Sequence, residues 1–425
     1  MCKPVTLLSF IFVFVCQIGG DFVYLYMNQE VNSTSLPKLW NDNYTKIWLA
    51  NFMIFFSFML LAPLLPLYLN DTFGADKDTI GLVLSGYTIT ALLMRPFSGF
   101  LVDSFPRKKV LLICYFLFFA IFSGYLLAGS LLAFAVVRTL QGAPFGATTV
   151  SNSTVAIDVL HPLRRAEGIG YYGLSNNLAT AIAPTVAIWL FHACDSYNVL
   201  FALALICAGL GFMINSTIKL KPREQISNKQ PISLDRFFLT KGWSEAATQS
   251  CYAFSYGVLS TYIAIYGKEE LGITGGTGLF FMLLAVGLIV ARIAGSRLLR
   301  NGRVLHNATF GTIVSMFGYL LFVTVHNPVG YYGSALIIGF GNGHMFPAYQ
   351  TMFINLASNS QRGTANATQL TSWDAGVGCG VLIGGVVAEH WGYQAAFVAA
   401  LAVNIVGVLG LLFHTRRHFM QNRLR

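Results

Sequence analysis

The amino-acid sequence predicts an all-α integral membrane protein in which twelve transmembrane helices form two pseudo-symmetric six-helix bundles. The prediction rests on the apolar composition, on the recurrence of apolar stretches, and on a repeat that relates the two halves of the chain. Hydrophobic residues make up 55% of the sequence and charged residues only 10%, whereas an ordinary soluble domain is about 25% charged. This composition excludes a soluble enzyme, a disordered protein and a nucleic-acid-binding protein.

The charges and the cysteines indicate no bound cofactor. The net charge is +10, but the cations are spread over short loops between apolar stretches, so we expect no nucleic-acid partner. The 7 cysteines are scattered singly, without the spacing of metal ligands or of a disulfide framework. No G-x-x-x-x-G-K-[ST] sequence occurs, which excludes that kind of nucleotide-binding loop. We therefore expect neither a metal nor another cofactor, and an ion gradient as the energy source.

Apolar stretches of the length that crosses a bilayer, roughly 20 residues, recur along the chain. We number them spans 1 to 12, at residues 46–69, 79–101, 110–129, 131–157, 167–191, 197–217, 242–266, 276–299, 304–325, 328–356, 364–389 and 393–414. The longest polar interruption follows span 6. We therefore divide the chain into an N-terminal tail, a first bundle, a linker, a second bundle and a C-terminal tail, at residues 1–45, 46–217, 218–241, 242–415 and 416–425.

The distribution of Lys and Arg predicts the orientation of the spans. One set of segments, which we call the basic side, holds 21 Lys and Arg residues. It comprises the segment before span 1, the loops 2–3, 4–5, 8–9 and 10–11, the linker and the C-terminal tail. The loops of the opposite side hold only Lys77 and Lys268. Since cytoplasmic loops carry the excess of basic residues, we expect the basic side and both termini of the twelve-span core to be cytoplasmic.

Residues 1–26 are treated separately from this core. They contain an apolar run of about 11 residues but no small-residue cleavage site, which is atypical of a signal peptide. They could form a thirteenth, short span. We favour a start at Met27, because the residues that follow it form a polar tail.

A repeat relates the two bundles. Several uncommon positions coincide when the sequence is shifted by 197 residues: Arg95 falls on Arg292, Gly142 on Gly339, Gly146 on Gly343, Arg165 on Arg362, Ser175 on Ser372 and Asn177 on Asp374. This pattern indicates two homologous six-helix bundles. A rocking motion of two such halves can expose a site between them to either side of the membrane.

Three motifs carry a resemblance to a known family. The stretch from Gly99 to Lys109, GFLVDSFPRKK, resembles the signature loop of the major facilitator superfamily, G-x-L-x-D-R-x-G-R-[KR]-x. In span 4, RTLQG, which begins at Arg138, resembles the R-x-x-Q-G of proton-coupled members. Asp158 and the basic residues after it resemble the end of span 4 and the following loop. The match is closest to the drug/proton antiporter branch, which includes multidrug and sugar efflux permeases.

The resemblance implies two six-helix domains around a central cavity and a secondary active transporter that works by alternating access. It further implies that Gly99, Asp103, Arg107, Lys108 and Asp158 close the cytoplasmic side when the protein opens outward. Asp103 and Arg107 are four residues apart, so they can also pair locally. The alternative is that the basic residues of this loop only set the topology.

Charged residues inside the spans are the candidates for proton coupling. Arg95 and Asp374 lie at matching depths in spans 2 and 11, which pack together in the superfamily fold. We therefore expect these side chains to pair across the two halves, because an isolated charge there is costly. At the symmetry-related contact, Arg292 would face the neutral Asn177. This asymmetry predicts Asp374 as the proton acceptor, with a static ion pair as the alternative.

Polar and aromatic side chains recur at helical spacing in spans 4, 7 and 10, where we expect them to line the central cavity. The alternative is that they form hydrogen bonds between helices. Mixed aromatic and amide groups suit an amphipathic or aromatic cargo. Glu245, at the start of span 7, is either a helix N-terminal charge or a proton site. The candidate cavity residues, with Asn177, are Arg138, Gln141, Thr149, Asn152, Gln249, Tyr252, Tyr256, Asn342, Phe346 and Tyr349.

These features predict a transporter of a bacterial-type inner membrane that exports a small amphipathic molecule in exchange for protons. A nutrient symporter or uniporter of the same fold is the alternative, since span 1 lacks the acid that many proton-driven exporters carry there. A membrane-embedded transferase is a more distant alternative, because the acids within the spans, Glu245 and Asp374, lie far apart in the sequence. We expect a monomer that is not an enzyme, with the cargo, protons and the lipid bilayer as its partners.

Overall fold

The computed structural model describes residues 37–220, 233–273 and 277–424, and every regular element in these ranges is a helix. Residues 1–26, with the expected start at Met27, lie outside the described residues. Span 1 consists of Asp42–Leu61 and Leu65–Phe73, and spans 2 to 10 are Lys77–Ser104, Arg107–Leu127, Leu131–Asp158, Arg165–Cys194, Tyr197–Ser216, Trp243–Glu269, Thr277–Arg300, Val304–Thr324 and Pro328–Leu356. Spans 11 and 12 form Arg362–Gly410, which continues through a π-helical turn, Leu411–Thr415, into a C-terminal helix, Arg416–Asn422.

Local sequence determines where several helices begin and break. The side chains of Asn41, Asp76, Ser130 and Asn327 each accept a hydrogen bond from the backbone N–H three residues later. Each of them thereby satisfies one of the free N–H groups at a helix N-terminus. Gly392 separates spans 11 and 12, because its φ of 86° is left-handed and only glycine adopts this conformation without steric cost.

Apolar composition distinguishes most of the spans but not all of them. Within the described ranges, 8 helical segments are long and apolar enough to cross a membrane, with spans 11 and 12 counted as one segment. Spans 4, 7 and 10, of 28, 27 and 29 residues, are long enough but do not meet that criterion. These three spans carry the polar stripes, which lower their hydropathy.

The helices pack into two bundles that meet along two helix pairs. In the first half, span 1 packs against spans 5 and 6, and span 2 against span 4. In the second half, span 7 packs against the segment that forms spans 11 and 12, and span 8 against span 10. Between the halves, span 2 contacts span 11 and span 5 contacts span 8. Residues at either of these two interfaces can join or release the halves.

Candidate functional site

Asp103, at the basic-side end of span 2, joins the two halves. Its Oδ1 accepts hydrogen bonds from the Gly363 backbone N–H at 2.9 Å and from Arg107 Nη2 at 3.0 Å. Its Oδ2 accepts hydrogen bonds from the backbone N–H of Thr364 at 2.7 Å and from Thr364 Oγ1 at 3.0 Å. Asp103 therefore caps the first turn of span 11, where free N–H groups and the helix dipole favour a negative charge.

Asp158, at the end of span 4, extends this contact. It forms ion pairs with Arg107 and with Arg362, and its distance to Arg362 Nη1 is 2.8 Å. Arg107 Nη2 also donates to the Asn359 carbonyl at 3.1 Å. We call Asp103, Arg107, Asp158 and Arg362 the Asp103 network. The two arginines are 8% and 6% exposed, so the network is largely shielded from water, which strengthens its charge pairs.

The two remaining residues of the signature loop, Gly99 and Lys108, form no ion pair of the Asp103 network in the described ranges. A Cβ atom at Gly99 would lie 2.8 Å from Ala367 Cβ and 2.9 Å from Thr364 Cα. These distances are too short for packed carbon atoms, so a glycine is required for spans 2 and 11 to approach this closely. Lys108 is partly exposed, and within the described part of the chain it belongs to none of the ion pairs of the Asp103 network.

The linker contacts both halves, which the sequence analysis did not predict. Arg236 Nη2 donates to Ser104 Oγ of span 2 at 2.8 Å, and its guanidinium lies 4.6 Å from the centroid of the Phe100 ring. The Asp235 carboxylate accepts a hydrogen bond from Gln361 Nε2, at the start of span 11, at 2.7 Å. Adjacent opposite charges followed by two phenylalanines are the sequence signal for this docked segment.

Deeper in the interface, Arg95 and Asp374 form an ion pair with an Nε–Oδ2 distance of 2.5 Å. The two side chains thus meet as their matching depths predict. Arg95 Nη1 also donates to Thr149 Oγ1 at 3.3 Å, which places this member of the span 4 stripe beside the pair. The Asp374 side chain is 27% exposed, against 10% for Arg95. The Asp374 side chain is therefore the less buried member of the pair.

The symmetry-related contact between spans 5 and 8 has a different chemistry. Arg292 Nη1 donates to the backbone carbonyl of Gly170 at 3.1 Å. The predicted partner Asn177 does not accept this bond, and its own Nδ2 is buried without a hydrogen-bond partner. The reason is that Gly173 has no side chain: a Cβ there would lie 2.6 Å from Arg292 Nη1. The guanidinium can therefore reach the backbone of span 5.

Two aromatic rings contact Trp373, which directly precedes Asp374 in span 11. Trp373 lies 5.3 Å from Phe346 and 5.5 Å from Tyr256, measured between ring centroids. All three rings are partly exposed. The sequence stripes identified Phe346 and Tyr256 but missed Trp373, although its place directly before Asp374 is a signal. The interface therefore combines a titratable acid with an aromatic surface.

Other stripe residues are buried within their own half, which corrects the prediction that they line the cavity. In the first half, Gln141 accepts a hydrogen bond from the hydroxyl of Tyr125 at 2.6 Å, and Asn152 accepts one from Asn215 Nδ2 at 3.0 Å. Both stripe residues are 0% exposed. Neighbouring helices supply the hydrogen-bond partners that lipid lacks, so these polar groups stabilise the packing of the bundle.

In the second half, too, most residues of the predicted stripes are buried and form hydrogen bonds within their own half. The Tyr252 hydroxyl lies 2.6 Å from Ser315 Oγ, and the Tyr349 hydroxyl donates to Thr248 Oγ1 at 3.0 Å. The remaining stripe residues are also buried, and their exposed fractions are 0% for Gln249 and 6% for Asn342. Of the predicted aromatic stripe residues in spans 7 and 10, only Tyr256 and Phe346 are partly exposed. In span 4, every residue of the predicted stripe is buried.

Two charged stripe residues are also held inside their own half. The Arg138 guanidinium lies 4.3 Å from the centroid of the Tyr87 ring, and its Nη1 lies 3.4 Å from Gln141 Oε1. Glu245 is 0% exposed, and its Oε1 lies 3.2 Å from His418 Nδ1 of the C-terminal helix. A ring face and a histidine therefore compensate the burial of these two charges.

The contacts between the halves are unevenly distributed. In the described ranges, the hydrogen bonds and ion pairs that join the halves lie at the depth of the Arg95–Asp374 pair or nearer to the basic side. The basic side is therefore closed in this structure. Opening it requires the Asp103 network to separate.

The fold and this interface define a class of protein: a multi-pass membrane transporter in which two pseudo-symmetric halves alternately expose a site between them. The chain belongs to the Major Facilitator Superfamily, whose sequence profile matches residues 47–376 and 339–423. It is a secondary transporter of this family.

Relatives and solved structures agree with this assignment. The staphylopine export protein of Staphylococcus aureus (strain Mu50 / ATCC 700699) is 23% identical, over 87% of this chain and 95% of its own. The quinolone resistance protein NorA of Staphylococcus aureus (strain MRSA252) is 22% identical, over 85% of this chain and 93% of its own. A bacterial homologue of the iron transporter ferroportin, solved in an outward-facing state, matches with a TM-score of 0.76 at 15% identity, over 88% of this chain and 100% of its own.

Proposed function

We propose that the protein exports a small amphipathic molecule in exchange for protons, across a bacterial-type inner membrane with its basic side in the cytoplasm. The observation that carries this proposal is the Arg95–Asp374 pair, which places a partly exposed acid between the halves at 2.5 Å from an arginine. At the symmetry-related contact, Arg292 bonds to a neutral carbonyl. A proton therefore changes only one of these two deep contacts.

Asp374 couples protonation to the movement of the halves. Ionised, it attracts Arg95 and favours the closed basic side. A proton bound from the opposite side removes this attraction and allows the basic side to open, where the proton leaves and cargo enters. An unpaired charge at this depth costs at least about 2.5 kcal/mol, which is enough to shift a two-state equilibrium by more than tenfold.

The contacts around the pair favour a cargo with an aromatic or apolar body and a negatively charged or electron-rich group. Trp373, Tyr256 and Phe346 offer ring surfaces for stacking. The Arg292 guanidinium lies 5.8 Å from the centroid of the Phe346 ring, and no acid pairs with it in the described ranges. The relatives named for staphylopine export and for quinolone resistance support a small-molecule cargo.

Flux in reconstituted vesicles tests the proposal. The purified protein is placed in proteoliposomes, a pH gradient is imposed, and accumulation of a fluorescent quinolone is followed. Antiport predicts accumulation when the vesicle interior is the acidic side, whichever way the protein is inserted. Accumulation from an acidic exterior would instead identify a symporter, and protein-dependent equilibration of the quinolone that neither gradient changes would identify a uniporter.

A Trp373→Leu variant tests the aromatic surface. Leucine fills part of the space but cannot stack on a cargo ring, so we expect KM for the quinolone to rise by roughly 2–10-fold, with the direction of pH-driven flux unchanged. Trp189→Leu is the matched control, because Trp189 is 69% exposed on span 5. An equal KM in both variants would remove Trp373 from the cargo site.

A further inference from the structure

A strongly basic cavity lies at the basic side, beside the start of span 5 and the end of span 8. Its volume is about 650 Å³, within the range of small-molecule sites. No Asp or Glu is among the described residues that line it. Its basic residues are Arg165, Arg300, Arg303, His306, Arg416 and Arg423.

The internal repeat relates this cavity to the Asp103 network. At the offset of 197 residues, Arg300 corresponds to Asp103 and Asn355 to Asp158. Arg165 corresponds to the span 11 arginine of that network. Arg300, Asn355 and Arg165 all line the cavity. The contact between spans 5 and 8 therefore keeps one of the two arginines of the Asp103 network, has Val304 in place of the other, and lacks both of its acids.

The C-terminal helix holds part of the basic wall in place. Phe419 is 2% exposed and anchors this helix in the second half. The backbone N–H of Leu424 donates to the carbonyl of Asn355, which itself lines the cavity, at 2.8 Å. Arg416 lies one turn before Phe419, and Arg423 lies directly before Leu424, so the backbone that carries both arginines is held in place beside the cavity.

The rim of the cavity is apolar. Leu163 and Met420 line it and are 62% and 50% exposed. Several arginines next to exposed apolar side chains suit an anion at the membrane surface, either free or attached to acyl chains.

We propose that this cavity binds a phosphoryl anion, which joins the two halves at the contact where the acids are missing. Guanidinium groups bind phosphate oxygens in a bidentate manner. Arg165 supplies the first half's charge, and the arginines that follow spans 8 and 12 supply those of the second half. The anion is either free phosphate or the phosphodiester headgroup of an acidic lipid.

Thermal unfolding of the full chain tests this site without any transport assay, so its outcome is independent of the proposed export function. The melting temperature is measured in detergent with inorganic phosphate and with chloride at equal ionic strength. It is also measured in vesicles of phosphatidylcholine with and without phosphatidylglycerol. We expect the bound anion to raise the melting temperature by about 2 °C or more.

Single substitutions show which arginines are needed for the rise in melting temperature. Arg416→Gln and Arg300→Asp should lose the rise, the latter because it restores an acid where Asp103 stands in the repeat. The matched control is Arg417→Gln, which removes a neighbouring charge that does not line the cavity and should keep the rise. A rise with phosphate identifies a free anion, and a rise only with phosphatidylglycerol identifies a lipid headgroup.

Two results would overturn the proposal. One is a wild-type melting temperature that neither phosphate nor phosphatidylglycerol changes. The other is a rise that Arg416→Gln and Arg417→Gln reduce equally, because this would show attraction to the general basic surface. Arg165→Gln examines the bridging itself, and a full rise in this variant would show that the anion is held by the second half alone.

Discussion

An Asp374→Asn variant is expected to lose pH-driven accumulation of cargo. Asparagine keeps the size of the side chain and an acceptor for Arg95, but it cannot take up and release a proton. The contact between the halves is then the same on both sides of the pH gradient. A proton that binds neither conformation through residue 374 cannot shift the equilibrium between them. In proteoliposomes with an imposed pH gradient, the accumulation ratio should fall to about one, while cargo still moves down its own gradient.

Two companion variants separate coupling from structure. Asp374→Glu keeps a titratable carboxylate and should retain pH-driven flux. Asp71→Asn changes an acid that bonds to the Tyr197 hydroxyl at 2.7 Å, outside the interface, and should behave as the wild type. Normal proton-driven flux in Asp374→Asn would show that its pair with Arg95 is a static structural contact.

An Asp103→Asn variant is expected to shift the protein toward conformations that are open on the basic side. One oxygen is replaced by an amide group that would face backbone N–H donors of span 11. Leaving a buried N–H donor without its acceptor costs about 1–3 kcal/mol, whereas Arg107 keeps its ion pair with Asp158. The ratio of closed to open protein should therefore fall by roughly fivefold or more, and transport should fall with it.

Labelling of a buried position measures this shift. Thr154 is 0% exposed and accepts a hydrogen bond from Asn366 Nδ2 of the other half at 3.0 Å. In a cysteine-free background, a Thr154→Cys protein should react with a maleimide faster when Asp103→Asn is added. Asp42→Asn is the control, since that acid forms an exposed pair with Lys46. Equal labelling rates and normal transport in both variants would contradict the closing role of Asp103.

Contacts that depend on depth or on local spacing could be predicted from the sequence. Arg95 and Asp374 were matched because a helix rises about 1.5 Å per residue, so the distance from the basic-side boundary is known before the fold is. Asp103 and Arg107 are one turn apart, and their pairing is local. The presence of these two ion pairs can therefore be predicted from the positions of the charged residues along the helices.

Contacts between segments that are remote in sequence could not be predicted in the same way. A polar stripe shows that one helix face is polar, but the partner of that face depends on which helix packs there. Gln141 therefore bonds to Tyr125 within the first half instead of facing the cavity. The docking of Arg236 on span 2 has the same origin, because nothing in a linker sequence specifies the surface it meets.

The membrane class, the twelve spans, the repeat and the basic side follow from the sequence alone, because apolar length, helix period and charge distribution are local or cumulative properties of the chain. The packing of the helices was needed to show that Asp103 caps span 11, that Trp373 contacts both Phe346 and Tyr256, and that arginines from separate segments line one cavity. These features arise where helices that are distant in sequence pack together. Side-chain direction and close approach at glycines then select the partner of each group.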